Sequence, residues 1–275
     1  MELIEILKVV VLGIVEGITE WLPISSTGHM LLVDEFIHMN VSDSFKDMFF
    51  VVIQLGAILA VVMLFWDKMW PFQTKDKSKP VIRKDVFSMW FKVVVACIPG
   101  AIVTLLFDDY IEAHLHTPTV IALALVVYGV AFIVIENWNK KRTPKVLALE
   151  DISYKTAFII GLFQVLSIIP GTSRSGSTII GALTIGVSRV AAAEFTFFLA
   201  VPVMIGLSFI KILKFGFSFT SVELMTLAIG CIVAFLVSVL VIKFLMSYIK
   251  KRDFKIFGWY RIILGFVFIA YFLLK

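Results

Sequence analysis

Two polar segments interrupt an otherwise apolar sequence, and both carry side chains that could handle a phosphate group. The first, EGITEWLPISSTGHM (residues 16–30), contains two carboxylates, two serines, a threonine and a histidine. Glu16 and Glu20 are four residues apart, so on a helix they share one face. Carboxylates in apolar surroundings need water, a metal ion or a cationic side chain beside them. The pair therefore predicts a polar site, with the solvated end of a helix as the alternative.

Hydroxyl groups and a histidine follow these carboxylates. Ser25, Ser26 and Thr27 precede Gly28, so a helix that begins here would present hydroxyls and free backbone N–H groups, an arrangement that binds phosphate. Plain N-capping of that helix is the structural alternative. His29 lies three residues after Ser26, within reach to exchange a proton with it.

The second polar segment, PGTSRSGST (residues 170–178), lies in the other half of the chain. Arg174 is its only charged residue and the only one between residues 158 and 187. Arginine suits phosphate because its planar fork donates two parallel hydrogen bonds; a structural pair with a carboxylate is the alternative. Its neighbours offer hydroxyl donors or close backbone approach and are candidate substrate-binding residues: Gly171, Thr172, Ser173, Ser175, Gly176 and Thr178.

The composition places both segments in a membrane protein. Of the 275 residues, 60% are hydrophobic and 16% are charged, whereas a soluble domain is nearer about half and about a quarter. The apolar residues form long runs, which indicates an all-α, polytopic membrane protein. The net charge of +5 then suggests loop topology and anionic lipid headgroups, and no nucleic-acid partner.

The apolar runs of the sequence fall into two classes by length. Four short runs (residues 3–15, 30–37, 154–169 and 179–187) flank the two polar segments. Two short arms around a Pro/Ser/Gly centre predict a re-entrant helix hairpin, whose turn must be buried in protein or line a wet cavity. Six longer runs approach the roughly 20 residues that a helix needs to cross a bilayer core of about 30 Å. These predicted spans are residues 48–66, 86–107, 119–136, 191–213, 224–246 and 256–274.

The order of one hairpin and three spans occurs twice. An offset of 148 residues places Ser25 on Ser173 and Gly28 on Gly176. Because three spans is an odd number, the second repeat must be inverted relative to the first, an architecture typical of transporters. We expect a single membrane domain over residues 1–275, with repeat one at about 1–137, a basic linker at about 138–153 and repeat two at about 154–275.

The basic residues predict the orientation. The linkers 67–85, 137–153 and 247–255 are rich in Lys and Arg, whereas the alternate loops 38–47, 108–118 and 214–223 carry at most one each. By the positive-inside rule the basic linkers are cytoplasmic, which puts both chain termini outside. Arg261, near the start of the last span, is then expected to reach the cytoplasmic interface.

The two polar segments, together with IQLGAILAV (residues 53–61) and WYRIILG (residues 259–265), resemble the bacterial undecaprenyl-diphosphate phosphatase family, also known for bacitracin resistance. The resemblance covers essentially the whole chain. It implies a multi-pass enzyme of the bacterial plasma membrane that removes the terminal phosphate of undecaprenyl diphosphate, and so recycles the lipid carrier for peptidoglycan and other wall polymers. The residues that match the family's active site are Glu16, Glu20, Ser26, His29 and Arg174.

The same resemblance implies the partners of the chain. They are a polyprenyl diphosphate substrate, membrane lipid, and a divalent cation, Mg²⁺ or Ca²⁺. Bacitracin is expected to compete by binding the substrate. The sequence leaves open whether the chain forms a homodimer.

These residues suggest a mechanism, because phosphoryl transfer depends mainly on positioning and charge stabilisation. We expect Ser26 to attack the terminal phosphorus while His29 exchanges the proton; His29 or water as the nucleophile stays open. Arg174 and hairpin N–H groups would hold the phosphate oxygens. Glu16 and Glu20 would bind the divalent cation, or one of them would position water. The alternative function is a transporter or flippase of a polyprenyl phosphate lipid, and the side from which substrate enters is open.

Overall fold

The computed structural model describes residues 2–73, 80–115 and 117–274, and within them the regular structure is helical. Six helical segments are long and apolar enough to cross a membrane. The chain is therefore a multi-pass membrane protein, as the composition predicts. The six segments are Asp43–Leu64, Lys84–Phe107, Pro118–Asn139, Arg189–Phe215, Ser221–Ile249 and Lys255–Phe272.

Twelve α-helices in the described residues follow the predicted order of hairpin and three spans, twice over. The first half contains α1 (Leu3–Thr19), α2 (Ser26–Asp34), α3 (Asp43–Val52), α4 (Gln54–Leu64), α5 (Trp66–Met69), α6 (Lys84–Leu115) and α7 (Pro118–Asn139). The second half contains α8 (Tyr154–Val165), α9 (Arg174–Thr184), α10 (Arg189–Phe215), α11 (Ser221–Ile249) and α12 (Lys255–Leu274). Helices α3 and α4 join end to end at Ile53 and form one span.

Two helix pairs, α1–α2 and α8–α9, form the hairpins. Their second helices begin at Ser26 and Arg174, four and five residues earlier than the apolar arms suggest. The reason is local: Ser25 and Ser173 cap these helices, their hydroxyls accepting hydrogen bonds from the backbone N–H groups of Gly28 and Gly176 at 3.3 and 3.1 Å. The polar residues of each segment therefore belong to the first turn of a helix.

Each hairpin packs against a span from the opposite half of the chain. Helix α1 lies against α11, where a Cβ at Gly17 would come within 2.9 Å of the Ala234 carbonyl oxygen. Helix α8 lies against α6, where a Cβ at Gly161 would overlap the Ala96 backbone. This exchange of partners is what a two-fold related pair of repeats requires. The inverted symmetry itself, and the boundaries of the repeats, stay predictions.

Candidate active site

The two hairpin turns meet in the interior and bring the two polar segments into contact. Glu16 lies in the last turn of α1, and Glu20 caps the same helix with its N–H bonded to the Glu16 carbonyl at 3.0 Å. Both carboxylates are buried, at 1% and 6% exposure, and lie beside each other. The expectation of a shared helix face is confirmed, and the alternative of a solvated helix end does not fit this burial.

Glu20 connects the halves of the site. Its Oε2 accepts a hydrogen bond of 2.6 Å from the Ser26 hydroxyl, and its Oε1 pairs with Arg174 Nη2 at 2.9 Å. Charge-assisted bonds of this length are strong. One carboxylate therefore fixes a candidate nucleophile from the first hairpin and a cation from the second in a single unit.

Arg174 has a second partner besides Glu20, the backbone of α10. Its Nη1 donates to the Thr196 carbonyl at 3.0 Å, and the Thr196 hydroxyl bonds that of Thr178 at 2.9 Å. Within the described residues its buried Nε has no hydrogen-bond partner. An unsatisfied buried donor on a guanidinium is costly, and a phosphate oxygen that entered the site would relieve this cost.

Ser25 and Ser173 give the two turns the same backbone. They are the non-glycine residues with positive φ in the described chain, at 74° and 73°. This conformation is uncommon for serine, and here it directs the chain into a helix whose first N–H groups have no partner within their own helix. Two positive helix ends consequently converge on the site, which favours an anion.

His29 makes its hydrogen bonds to partners other than Ser26. Its Nδ1 lies 2.7 Å from the Ser25 carbonyl, to which it must donate, and this leaves Nε2 to accept from the Tyr260 hydroxyl at 2.7 Å. The Ser26 hydroxyl instead donates to Glu20. In this geometry Glu20 is the group bonded to the Ser26 hydroxyl, and proton exchange between His29 and Ser26 stays a prediction.

The candidate substrate-binding residues divide by exposure. Thr27 is exposed, and Ser26, His29 and Ser173 are partly exposed, so these side chains can meet a ligand. The others are buried, and several of their side chains bond protein atoms: Ser175 donates to the Glu20 carbonyl at 3.3 Å. The buried residues of this group are Ser25, Gly28, Gly171, Thr172, Ser175, Gly176 and Thr178.

Gly171 illustrates the structural role of that buried group. Its φ is +90°, and a Cβ there would lie 2.5 Å from the Ile121 carbonyl oxygen of α7. Only glycine tolerates both conditions. Gly171 thus allows the second turn to approach α7 closely, and its side of the turn faces protein.

Sequence reasoning missed two residues of α12. The Tyr260 hydroxyl bonds His29, and Arg261 is fully buried with its guanidinium among backbone carbonyls. The expectation that Arg261 reaches the cytoplasmic interface is wrong, because its partners lie in the two hairpin turns and α7. The available signal was the WYRIILG segment, whose arginine stands in an apolar run.

A divalent cation would find few protein ligands here. Within the described residues no group of three or more His, Cys, Asp and Glu side chains is placed to hold a metal. One oxygen of Glu16 is buried without a hydrogen-bond partner among the described atoms, and Glu20 lies beside it. This donor set fits Mg²⁺, which commonly takes one or two carboxylates and completes its shell with water and substrate phosphate oxygens.

The arrangement has the components of a phosphoryl-transfer site. It combines a hydroxyl bonded to a carboxylate, a guanidinium with a free N–H, and two helix N-termini, all within a membrane domain. Phosphoryl transfer requires positioning and charge neutralisation more than covalent chemistry from the protein. A phosphate ester or anhydride carried on a lipid is the ligand class that fits these groups.

Comparison with known proteins agrees with this interpretation. The profile of the family described as "Bacitracin resistance protein BacA" matches residues 9–267. An undecaprenyl-diphosphatase of Enterococcus faecalis is 75% identical over 265 residues, covering 96% of each chain. An undecaprenyl-diphosphatase of Lachnoclostridium phytofermentans is 62% identical, covering 100% of this chain and 99% of its own. Undecaprenyl-diphosphatase 1 of Clostridium acetobutylicum is 56% identical over the full length of both.

Proposed function

Since the chain belongs to the bacitracin resistance protein BacA family, we propose that it hydrolyses undecaprenyl diphosphate to undecaprenyl phosphate and inorganic phosphate. The observation that carries the proposal is the unit of Ser26, Glu20 and Arg174, in which bonds of 2.6 and 2.9 Å join residues from both hairpins. A carboxylate that holds both a hydroxyl and a guanidinium suits phosphoryl transfer.

In the proposed reaction Ser26 is the nucleophile and Glu20 is its base. The Ser26 Oγ attacks the terminal phosphorus, its proton passes to Glu20, and the anhydride bond to undecaprenyl phosphate breaks. Glu20 passes this proton to the departing undecaprenyl phosphate. It then takes a proton from the water that attacks the phosphoserine and donates that proton to the serine oxygen as phosphate is released, so Ser26 and ionised Glu20 are regenerated. Arg174 and the two helix N-termini stabilise the charge on the transferred group.

The nucleophile can be tested by trapping. Acid quenching of wild-type protein during turnover of substrate labelled in the terminal phosphate should give labelled protein, and Ser26→Ala should give none. Label that survives in Ser26→Ala would assign the nucleophile to another residue. No label in the wild type, with turnover intact, would favour direct attack by water.

A divalent cation is part of the proposal. Glu16, with its free oxygen, and Glu20 would hold it; when bound, such an ion supplies charge neutralisation for the diphosphate. Treatment with EDTA should abolish phosphate release, and Mg²⁺ or Ca²⁺ should restore it. Full activity in EDTA would show that the reaction does not require a divalent cation.

The orientation is proposed from the charge of the loops, with both termini outside the bacterial plasma membrane. The linkers 137–153 and 247–255 are basic; Lys75, Lys77 and Lys79 of the linker 67–85 lie outside the described residues. The first hairpin would then enter from the outside, where Thr27 is exposed. A homodimer stays a prediction, for which light scattering in detergent is the test.

A lipid transporter is the second candidate. It is favoured by the packing of each hairpin on a span of the opposite half, an arrangement found in carriers with repeated domains. In that case the same site would bind the diphosphate without hydrolysing it.

One experiment separates the two candidates. Purified wild-type protein in detergent is given undecaprenyl diphosphate with Mg²⁺, and both inorganic phosphate and undecaprenyl phosphate are measured. The phosphatase yields the two products in equal amounts. Failure of folded protein to release phosphate, together with movement of labelled lipid across proteoliposomes, would replace the phosphatase by the transporter.

A further inference from the structure

Arg261 is a buried cation whose acceptors are backbone carbonyls from three different parts of the fold. The side chain is 0% exposed. Its Nη1 donates to the Pro23 carbonyl at 3.1 Å, and its Nη2 donates to the Gly171 carbonyl at 2.7 Å. Weaker bonds reach Ala124 and Leu125 of α7, at 3.4 and 3.5 Å. One guanidinium therefore spans both hairpin turns and the helix behind them.

Burying a cation in this position is less favourable than burying an apolar side chain of similar size. Within the described residues the hydrogen-bond partners of Arg261 are these carbonyls, and the Tyr128 ring lies 5.7 Å from the guanidinium, without a carboxylate to balance its charge. Burying a charge is unfavourable unless it is well paired, and an apolar side chain would avoid that cost. The carbonyls of Pro23 and Gly171, however, belong to turns that cannot satisfy them by helical hydrogen bonds. The guanidinium satisfies one carbonyl in each turn, which a single amide or ammonium group cannot do as well.

The two turns that Arg261 joins are those that carry the reacting groups. Pro23 lies three residues after Glu20 and three before Ser26, and Gly171 lies three residues before Arg174. The Glu20–Arg174 pair bridges the same two turns at 2.9 Å. Any shift of one turn against the other would lengthen this bond and move Ser26 relative to the guanidinium of Arg174.

We propose that Arg261 is a positioning residue for the reaction: it fixes the two hairpin turns relative to each other and so sets the Ser26–Glu20–Arg174 geometry. Arg261 itself touches the backbone of the turns and leaves the phosphates to Arg174. The inference rests on the proposed function and adds to it the residue that assembles the site from its two halves.

Kinetics give the first test, with Arg261→Met, Arg261→Lys and the control Arg189→Lys. Arg189 is a partly buried arginine, whereas Arg261 is fully buried, and Arg189 pairs with Glu136 at the far end of α7. We expect kcat to fall roughly 100-fold in Arg261→Met, the scale of a displacement of about 1 Å, with KM changed by less than about threefold. Arg261→Lys should recover part of the loss, because the ammonium can bond one turn. Arg189→Lys should keep the wild-type kcat, and unaltered kcat in Arg261→Met would overturn the proposal.

A double-mutant cycle asks whether Arg261 acts through Arg174. If it does, Arg261→Lys should cost clearly less in an Arg174→Lys background than in the wild type, because the geometry it maintains is already lost. Losses that simply multiply would show an independent action and would contradict a positioning role.

Hydrogen exchange tests the same proposal without relying on activity. In Arg261→Met, backbone amides of both turns, residues 20–25 and 169–173, should exchange faster than in the wild type, while the loop at 216–220 stays unchanged. Unchanged exchange in either turn would refute the bridging role even if the variant is inactive. If the wild type itself releases no phosphate but exchange is faster in Arg261→Met, the bridging role is supported and the proposed function is rejected. If Arg261→Met does not fold, Arg261→Lys serves for the same comparison.

Discussion

Replacement of Arg174 by lysine should disable the enzyme while leaving it folded. The guanidinium uses two nitrogens for protein partners, Glu20 at 2.9 Å and the Thr196 carbonyl at 3.0 Å, and keeps Nε for a ligand. Lysine offers one nitrogen, so it can keep the pair with Glu20 or contact the phosphate, and it cannot do both in the same geometry.

The size of the effect follows from the hydrogen bonds that lysine cannot make. A bond to a charged group contributes about 1.5–3 kcal/mol, and two are lost, one to the protein and one to the phosphate. Only the bond to the phosphate strengthens in the transition state, so its loss of about 1.5–3 kcal/mol corresponds to a fall in kcat of about 10- to 10²-fold. The melting temperature should fall modestly, because the bond to the Thr196 carbonyl is lost while the positive charge beside Glu20 is retained.

The assay is phosphate release from undecaprenyl diphosphate at several substrate concentrations, so that kcat and KM are obtained separately. Arg142→Lys is the matched control, because Arg142 is exposed and lies over the Trp138 ring, away from the hairpins. A kcat within about threefold of wild type for Arg174→Lys would refute the assignment, since it would imply that a single point charge is sufficient.

Three further predictions concern packing, the histidine and the topology. Gly56→Ala should destabilise the protein by about 1–3 kcal/mol, because its Cβ would overlap the backbone of α11. Gly206→Ala is the control and should not destabilise it, because no atom lies within 4 Å of its Cβ. Thermal unfolding in detergent compares the two variants, and equal melting temperatures would contradict the close approach of Gly56 to α11. Tyr260→Phe removes one hydrogen bond to His29 and should lower kcat by about tenfold, as expected for about 1.4 kcal/mol; a loss as large as that of Glu20→Ala would give Tyr260 a direct role. In intact cells a membrane-impermeant maleimide should label Ser218→Cys and spare Thr143→Cys, both in exposed loops; the reverse pattern would invert the proposed orientation.

The span pattern was predictable from the sequence because apolar length alone decides whether a helix can cross a membrane. The six spans appear within a few residues of their predicted bounds. The hairpins were predictable for the same reason, since their arms are too short to cross. Their helix starts were less so: Ser25 and Ser173 begin the helices earlier because capping and a positive φ, rather than hydrophobicity, decide where each helix starts.

Contacts within the site were predictable only in part. The sequence indicates that carboxylates of one half would meet a cation of the other, and Glu20 and Arg174, separated by 154 positions, do form an ion pair. It could not show that His29 would turn toward Tyr260, because that partner is 231 positions away on another helix. Arg261 was misplaced for a related reason. Its position near the start of a helix suggests the cytoplasmic membrane interface. Its acceptors, however, include carbonyls of the two turns, which come close to each other only in the folded protein.

The central claim is that both hairpins contribute to one phosphatase site. The direct measurement is phosphate release from undecaprenyl diphosphate by purified wild type, Glu20→Ala from the first hairpin and Arg174→Ala from the second, each with Mg²⁺ and with matched melting temperatures. Glu150→Ala is the control, because this carboxylate is exposed and outside the site. The account predicts that the control keeps wild-type turnover and that each hairpin variant loses at least about 10³-fold, the lower range for removal of a charge-stabilising arginine in phosphoryl transfer. Near-normal release by either hairpin variant would show that one hairpin suffices and would contradict the account.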